Sequence, residues 1–209
     1  MTRSPLFVLA AALSLTACDN KPTQDKAIAK VEAPVAATTP ATGTAYAFSG
    51  SSGSKIGFVG AKVTGKHEGS FGTFTGTVRI PDGDVTKGGV ETSIDIASLT
   101  TDNDRLSGHL KSPEIFDAAK FPKASFISTS VKAGGERGAS HTITGNLELH
   151  GVTKSITFPA TVKVAGDKVE VDAELGINRK DFGLVYPGKP DDLIKDEVMI
   201  KLTIRAAKS

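Results

Sequence analysis

The 209-residue chain has no tryptophan, two tyrosines, a single cysteine and an aromatic content of only 6%, mostly phenylalanine. So few flat side chains give no stacking platform for bases. The 25 basic and 23 acidic residues are spread out, with no basic block that could track a phosphate backbone. Nucleic acid is therefore excluded as a partner. One cysteine cannot build a disulfide framework. The apolar run from Leu6 to Leu15 is too short to cross a bilayer as a stable helix. Catalytic signatures are missing as well: there is no Gly-x-Ser-x-Gly elbow and no Walker loop, and the carboxylates are scattered. The four histidines, His67, His109, His141 and His150, lack the paired spacing of a zinc site, so no metal and no cofactor are expected.

What is present begins with an address. Met1-Thr2-Arg3-Ser4 is a short basic start, Leu6 to Leu15 fits the apolar core of an export signal, and Leu15-Thr16-Ala17-Cys18 closes it. That tetrapeptide resembles the lipobox of bacterial lipoproteins, which implies a signal peptide over residues 1–17 and diacylglycerol on the Cys18 sulfur. A lone thiol in an oxidising compartment is accounted for if it serves as the anchor. Several acyl chains, at about 0.8 kcal/mol per buried methylene, hold such a protein on a membrane. Asp19, directly after the cysteine, resembles a signal for retention at the inner membrane of the periplasm, with the outer membrane as the alternative. Residues 18–44 are rich in Ala, Pro, Thr and Lys and poor in bulky apolar side chains. This composition predicts a flexible tether with a reach of about 25 to 30 Å, leaving the domain free to turn.

From Ala45 onward the hydrophobic period is two. Val169, Val171, Ala173, Leu175 and Ile177 alternate with Glu170, Asp172 and Glu174, and Val198, Ile200, Leu202 and Ile204 alternate with Lys201, Thr203 and Arg205. Similar runs pass through Val90 to Ile96, Ile143 to Leu149 and Ile156 to Val164. Clean alternation argues for antiparallel strands with one wet face. Turn chemistry follows at short intervals, at Pro81-Asp82-Gly83, Lys87-Gly88-Gly89, Ala133-Gly134-Gly135, His150-Gly151 and Ala165-Gly166-Asp167, which predicts a meander of hairpins. One stretch breaks the rhythm. Thr101 and Asp104 form a potential capping box ahead of Leu106 and Leu110, and Ser112-Pro113-Glu114 opens a potential second helix. The fold class is thus all-β, roughly eight strands with one or two short helices near residues 102–118. Such strands can stack as a sandwich or close into a barrel; closure removes exposed edges and leaves an interior able to hold one ligand.

A resemblance joins these pieces. Ser54-Lys55-Ile56-Gly57-Phe58, Gly69-Ser70-Phe71-Gly72-Thr73-Phe74-Thr75-Gly76, the stretch with Arg105, His109-Leu110-Lys111-Ser112 and Phe116-Asp117, and Phe121-Pro122-Lys123-Ala124-Ser125-Phe126 follow in order. Gly145 to Lys154, Asn178-Arg179-Lys180-Asp181-Phe182-Gly183 and the final strand complete the set. Together they resemble the YceI-like family of periplasmic proteins over residues 45–209. The resemblance implies a lipocalin-like, eight-stranded antiparallel up-and-down barrel whose cavity holds a polyisoprenoid chain, an isoprenoid quinone or a prenyl phosphate, as a carrier or sequestrant and not an enzyme. This chain departs from the family in lacking an Arg-Asp pair before its His-Leu, where Arg105-Leu106-Ser107-Gly108-His109 stands.

An isoprenoid tail needs a slot of branched aliphatic and phenylalanine side chains, its affinity coming from area removed from water at about 25 cal/mol per Å². The expected lining is Ile56, Phe58, Phe74, Val78, Ile94, Ile96, Phe126, Ile143, Leu147, Phe158, Leu175 and Phe182, with Leu110 and Phe116 from the helical cover. His67 and Arg179 are candidate head-group contacts; Arg179 equally suits an ion pair pinning a strand end. The competing reading keeps the same residues as a dry core, in an envelope scaffold with an unknown protein partner. A hydrolase whose triad is assembled only in space is the weaker third.

Overall fold

A computed structural model describes residues 21–36 and 42–209. Its strands, in chain order, are β1 (Ala27–Ile28), β2 (Lys30–Glu32), β3 (Thr44–Ser49), β4 (Lys55–Lys62), β5 (Gly65–Phe71), β6 (Phe74–Ile80), β7 (Gly89–Asp95), β8 (Leu99–Thr101), β9 (Lys123–Ala133), β10 (His141–Leu149), β11 (Val152–Ala165), β12 (Lys168–Asn178), β13 (Gly188–Lys189), β14 (Asp192–Leu193) and β15 (Glu197–Lys208). One α-helix, α1 (Asp104–Lys111), lies between β8 and β9.

Three pairs of strands are single staves bent in the middle. β3 and β4 both pair with β15, β6 and β5 with β3 and β4, and β7 and β8 with β6 and β5. β9, β10, β11 and β12 then follow as hairpin neighbours, and β15 pairs with β12 on one edge and β3–β4 on the other. The result is a closed eight-stranded antiparallel barrel in up-and-down order. Closure removes most unpaired edges around the ring; β8 pairs with β5 alone.

Local chemistry follows the sequence closely at the turns. His150 and Gly151, between Leu149 and Val152, have φ of 52° and 73°, the two left-handed residues that a tight hairpin turn demands. The His150 ring also packs edge-on against Phe121, with centroids 4.6 Å apart. The helix is capped two residues later than expected, at Asn103 instead of Thr101. Asn103 accepts from the Leu106 amide at 3.0 Å, while the Thr101 hydroxyl is occupied by the Asn103 carbonyl and by Ser107. No second helix forms at Pro113. Amides of Ile115 and Asp117 both turn back on the Ser112 carbonyl, and Asp117 adopts φ of 44°, which reverses the chain before helical bonding can propagate.

The largest departure concerns the segment expected to be a free tether. Residues 27–32 form a strap inserted into the wall. Above Asp172 and Thr161, β11 and β12 pair directly; below them the two strands part, and β1 pairs in parallel with β12 while β2 pairs antiparallel with β11. Ala27 and Ala29 are buried and Val31 packs on the core, whereas Ile28, Lys30 and Glu32 face out. The strap is a short strand in its own right, with the period of two compressed into small side chains. Further ties hold it: the Thr23 hydroxyl donates to Glu197, Lys26 pairs with Glu174, the Arg137 guanidinium donates to the Asp25 carbonyl at 2.6 Å, and Asn146 brackets Val35 with two hydrogen bonds. Cys18 and the lipobox lie outside the described residues.

Two ends result. The helix end carries α1, the β4–β5 and β10–β11 turns and the long connection from β12 to β15, which runs through β13 and β14. The opposite end carries the β6–β7, β9–β10 and β11–β12 turns.

Candidate functional site

Inward-facing side chains do not fill the barrel. Phe58, Phe126, Leu147, Ile200 and Leu202 point to the lumen yet are only half-buried, because they border an empty cavity of about 280 Å³ that runs along the barrel. This is just under the range usual for small-molecule sites. Why space remains is visible at three glycines. The Phe58 ring lies flat over its cross-strand partner Gly69, where an added Cβ would stand 2.3 Å from the ring. Phe48 lies likewise over Gly76, and Phe126 over Gly145, at 2.1 and 2.4 Å. A ring laid against a bare backbone thickens the wall without entering the lumen, so large aromatic side chains line the space and leave it open.

Of the residues singled out as lining, Ile56, Phe58, Val78, Ile94 and Phe126 border this cavity from the walls. Ile143, Leu147, Phe158 and Leu175 do so from the opposite staves, and Leu110 and Phe116 cover it from the helix end. Three do not. Phe74 has the inward parity but packs behind Phe48, ring centroids 6.5 Å apart, at the bend between β5 and β6. Ile96 begins the 3-10 turn that separates β7 from β8, so the parity carried over from β7 no longer applies, and its side chain is buried in the wall. Phe182 lies beyond the last residue of β12, in a turn capped by Asn178, and is wholly buried at the barrel end. For Ile96 and Phe182 a strand has stopped where the alternation appeared to continue.

Of the two candidate head-group contacts, Arg179 borders the cavity with its guanidinium engaged by the protein, and His67 lies away from it. Arg179 is buried, and its guanidinium donates to the carbonyls of Leu184, Lys195 (3.1 Å) and Ile194 (3.4 Å) and to Asp196 at 3.3 Å. Burial pushes its pKa below the ordinary arginine value, with Asp196 acting in the opposite direction. It pins the β12–β15 connection across the helix end, and the structural alternative raised for it is the one its geometry matches. His67 sits at the rim of the helix end, its Nδ1 3.0 Å from Asp102, and does not border the cavity.

Other lining residues carry no periodic signal. Val85 comes from the β6–β7 turn; Leu184, Tyr186 and Ile194 come from the β12–β15 connection. Tyr186 meets the edge of His109 at 5.2 Å, and His109 lies 3.5 Å from Glu114. Among the described residues, the titratable side chains along the cavity are Arg79, Arg179 and Tyr186, and no carboxylate, histidine or lysine borders it. Among the described residues, no three potential ligands gather to hold a metal ion.

Fold and site together define a lipocalin-like barrel with an apolar lumen. The chain belongs to the family of the YceI-like domain, whose model matches residues 46–206. A UPF0312 protein of Pseudomonas putida (strain W619) is 34% identical over 117 residues, covering 52% of this chain and 60% of the relative. One from Pseudomonas savastanoi pv. phaseolicola is 36% identical over 105 residues, covering 47% and 54%. The matches thus span little more than half the length of these curated relatives. Among solved structures, BcnA of Burkholderia cenocepacia superposes with a TM-score of 0.65 at 26% identity, covering 74% of this chain and 96% of BcnA. A polyisoprenoid-binding domain from Saccharophagus degradans, implicated in plant cell wall breakdown, gives a TM-score of 0.63 at 18% identity, covering 79% and 99%. That second likeness speaks to the fold alone.

Proposed function

We propose that this protein binds a polyisoprenoid lipid, an isoprenoid quinone or a prenyl phosphate, in the barrel lumen and acts as a carrier or sequestrant in the bacterial envelope. One observation carries the reading: the cavity is long, lined almost entirely by aliphatic and phenylalanine side chains, and kept open by glycine opposite its rings. A prenyl tail is a narrow, branched hydrocarbon that matches such a slot, and each 100 Å² of it removed from water stabilises the complex by about 2.5 kcal/mol. The polyisoprenoid-binding domain with the same fold supports the choice of ligand. Binding is favoured over catalysis because proton transfer and nucleophilic attack need a poised base, and the lining supplies only two arginines and a tyrosine.

The same reading places the mature protein on the periplasmic side of a membrane through acylated Cys18, with Asp19 favouring the inner membrane. Purification from the native host, followed by native and denaturing mass spectrometry of the organic extract, tests the ligand. A stoichiometric prenyl lipid is the expected result. Repeated recovery of an empty barrel overturns the proposal and leaves an anchored scaffold.

A further inference from the structure

Where the strap begins decides how the barrel stands on a membrane. The first described residue, Lys21, offers its carbonyl to the Lys66 ammonium at 3.1 Å, beside the β4–β5 turn. Thr23 is buried against Gly176 and bonded to Glu197. All three partners, Lys66, Gly176 and Glu197, belong to the helix end. Cys18 precedes Lys21 by three residues, and three trans peptide steps span at most about 11 Å. The anchoring cysteine is therefore confined close to that end, whatever path those residues take. A tether of the length suggested by composition would impose no such constraint.

The same end carries an unusual surface. Val63 in the β4–β5 turn, Val185 and Leu193 in the β12–β15 connection are 55%, 64% and 49% exposed. Val63 and Leu193 are drawn together, the Val63 amide donating to the Leu193 carbonyl at 3.2 Å and β14 continuing along β4 through Ile194. At the opposite end Val164, 42% exposed, has no such company. Just inside the apolar rim, Phe116, Tyr186 and Ile194 begin the lining of the cavity. An anchor, an apolar rim and the cavity lining thus converge at one end.

We propose that the helix end is a membrane-docking face: the docked strap and acylated Cys18 together press Val63, Val185 and Leu193 against the bilayer. The occupant is the phospholipid surface in which Cys18 is anchored. In this pose the cover of the cavity, Leu110, Phe116 and Tyr186, faces the hydrocarbon of the membrane. The inference rests on the anchored, lipid-binding reading and adds to it a fixed orientation.

The test uses the full-length, signal-processed protein on phosphatidylethanolamine and phosphatidylglycerol vesicles containing a brominated lipid. With Cys18 acylated, Val63→Cys and Ala165→Cys each supply one free thiol for a fluorophore, at the two ends of the barrel. Strong quenching at position 63 with unchanged emission at 165 is expected. Equal quenching at both, or stronger quenching at 165, in protein whose acylation is verified by mass spectrometry, overturns the orientation. Protein isolated without acyl chains overturns the anchoring reading itself, and lipid extraction of the same sample reports separately on ligand binding. A second variant inserts a Gly/Ser linker of about twenty residues, with a reach of roughly 25 Å, between Asn20 and Lys21. It should keep the melting temperature and lose the contrast between the two positions. Full retention of that contrast overturns the role of the strap.

Discussion

The two halves of the barrel are built differently. The half built from β9 to β12 and β15 consists of unbroken strands, and on β12 the inward side chains Val169, Ala173, Leu175 and Ile177 are buried almost completely, with Val171 half-buried. The half built from β3 to β8 is bent in every stave, and its Phe48, Phe58 and Phe71 border the cavity. Close contacts and removed apolar area are what hold a fold together, and the β12 row supplies them. Both halves give up part of that density to keep a lumen: Phe58 and Phe71 in the bent half, and Phe126, Leu147, Ile200 and Leu202 in the straight one, are half-buried beside the cavity. Density is thus concentrated along β12, and the open space is shared around the ring.

Three measurements would break or sharpen this contrast. The largest effect is expected in the straight half. Leu175→Ala, at a position 2% exposed, should lose about 3 kcal/mol in denaturant unfolding, whereas Phe58→Ala, at a position only half-buried, should lose less than half as much and weaken lipid binding instead. Equal losses would remove the distinction. Next come the two glycines. A Cβ at Gly76 meets the Glu91 carbonyl at 2.7 Å as well as the Phe48 ring, so Gly76→Ala strains backbone and should cost about 2 kcal/mol. At Gly69 the close atoms belong to the Phe58 ring, which can swing into the lumen. Gly69→Ala should therefore leave the melting temperature nearly unchanged and lower lipid affinity; thermal melts beside a prenyl-lipid titration would decide, and unaltered affinity would refute the flat-ring account.

The smallest effect is a pH response where the β12–β15 connection edges the bent half. Asp192 accepts from the Lys62 ammonium and from the Thr64 amide and hydroxyl, and these bonds hold its carboxyl below the usual value. A lowered folded-state pKa means that the contribution is present above the unfolded value of about 3.9 and is lost as pH falls through the folded one. Hydrogen exchange at Val63 and Leu193 should thus quicken only below about pH 4 in the native protein. In Asp192→Asn it should already be fast at neutral pH and insensitive to that change.

Much of this was legible before any coordinates. Alternation from Val169 to Ile177 and from Val198 to Ile204 reports the two neighbouring strands directly, since an exposed outer face must be polar. His150-Gly151 announces its turn by chemistry alone. Other features left only faint traces. In the strap, Ala27, Ala29 and Val31 do alternate with Ile28, Lys30 and Glu32, but alanine is too small and too common in linkers to stand out from its composition. The bends after Ser49, Phe71 and Asp95 interrupt strands without changing the hydrophobic character of the residues that follow, which is why Phe74 and Ile96 carry the pattern of a lining they do not reach. Leu184, Tyr186 and Ile194 reach the cavity from a connection with no period to read.

The amino-acid sequence by itself determined the all-β class, the hairpin order, the inward row of each strand and the family, because strand parity, turn residues and motif order are local properties written every few positions. Tertiary structure alone decided that the lumen stays open and that residues 27–32 complete the wall. Both depend on which side chains meet across the ring, Phe58 over Gly69 or the strap between β11 and β12, and such meetings join positions far apart in the chain whose fit exists only once the barrel has closed.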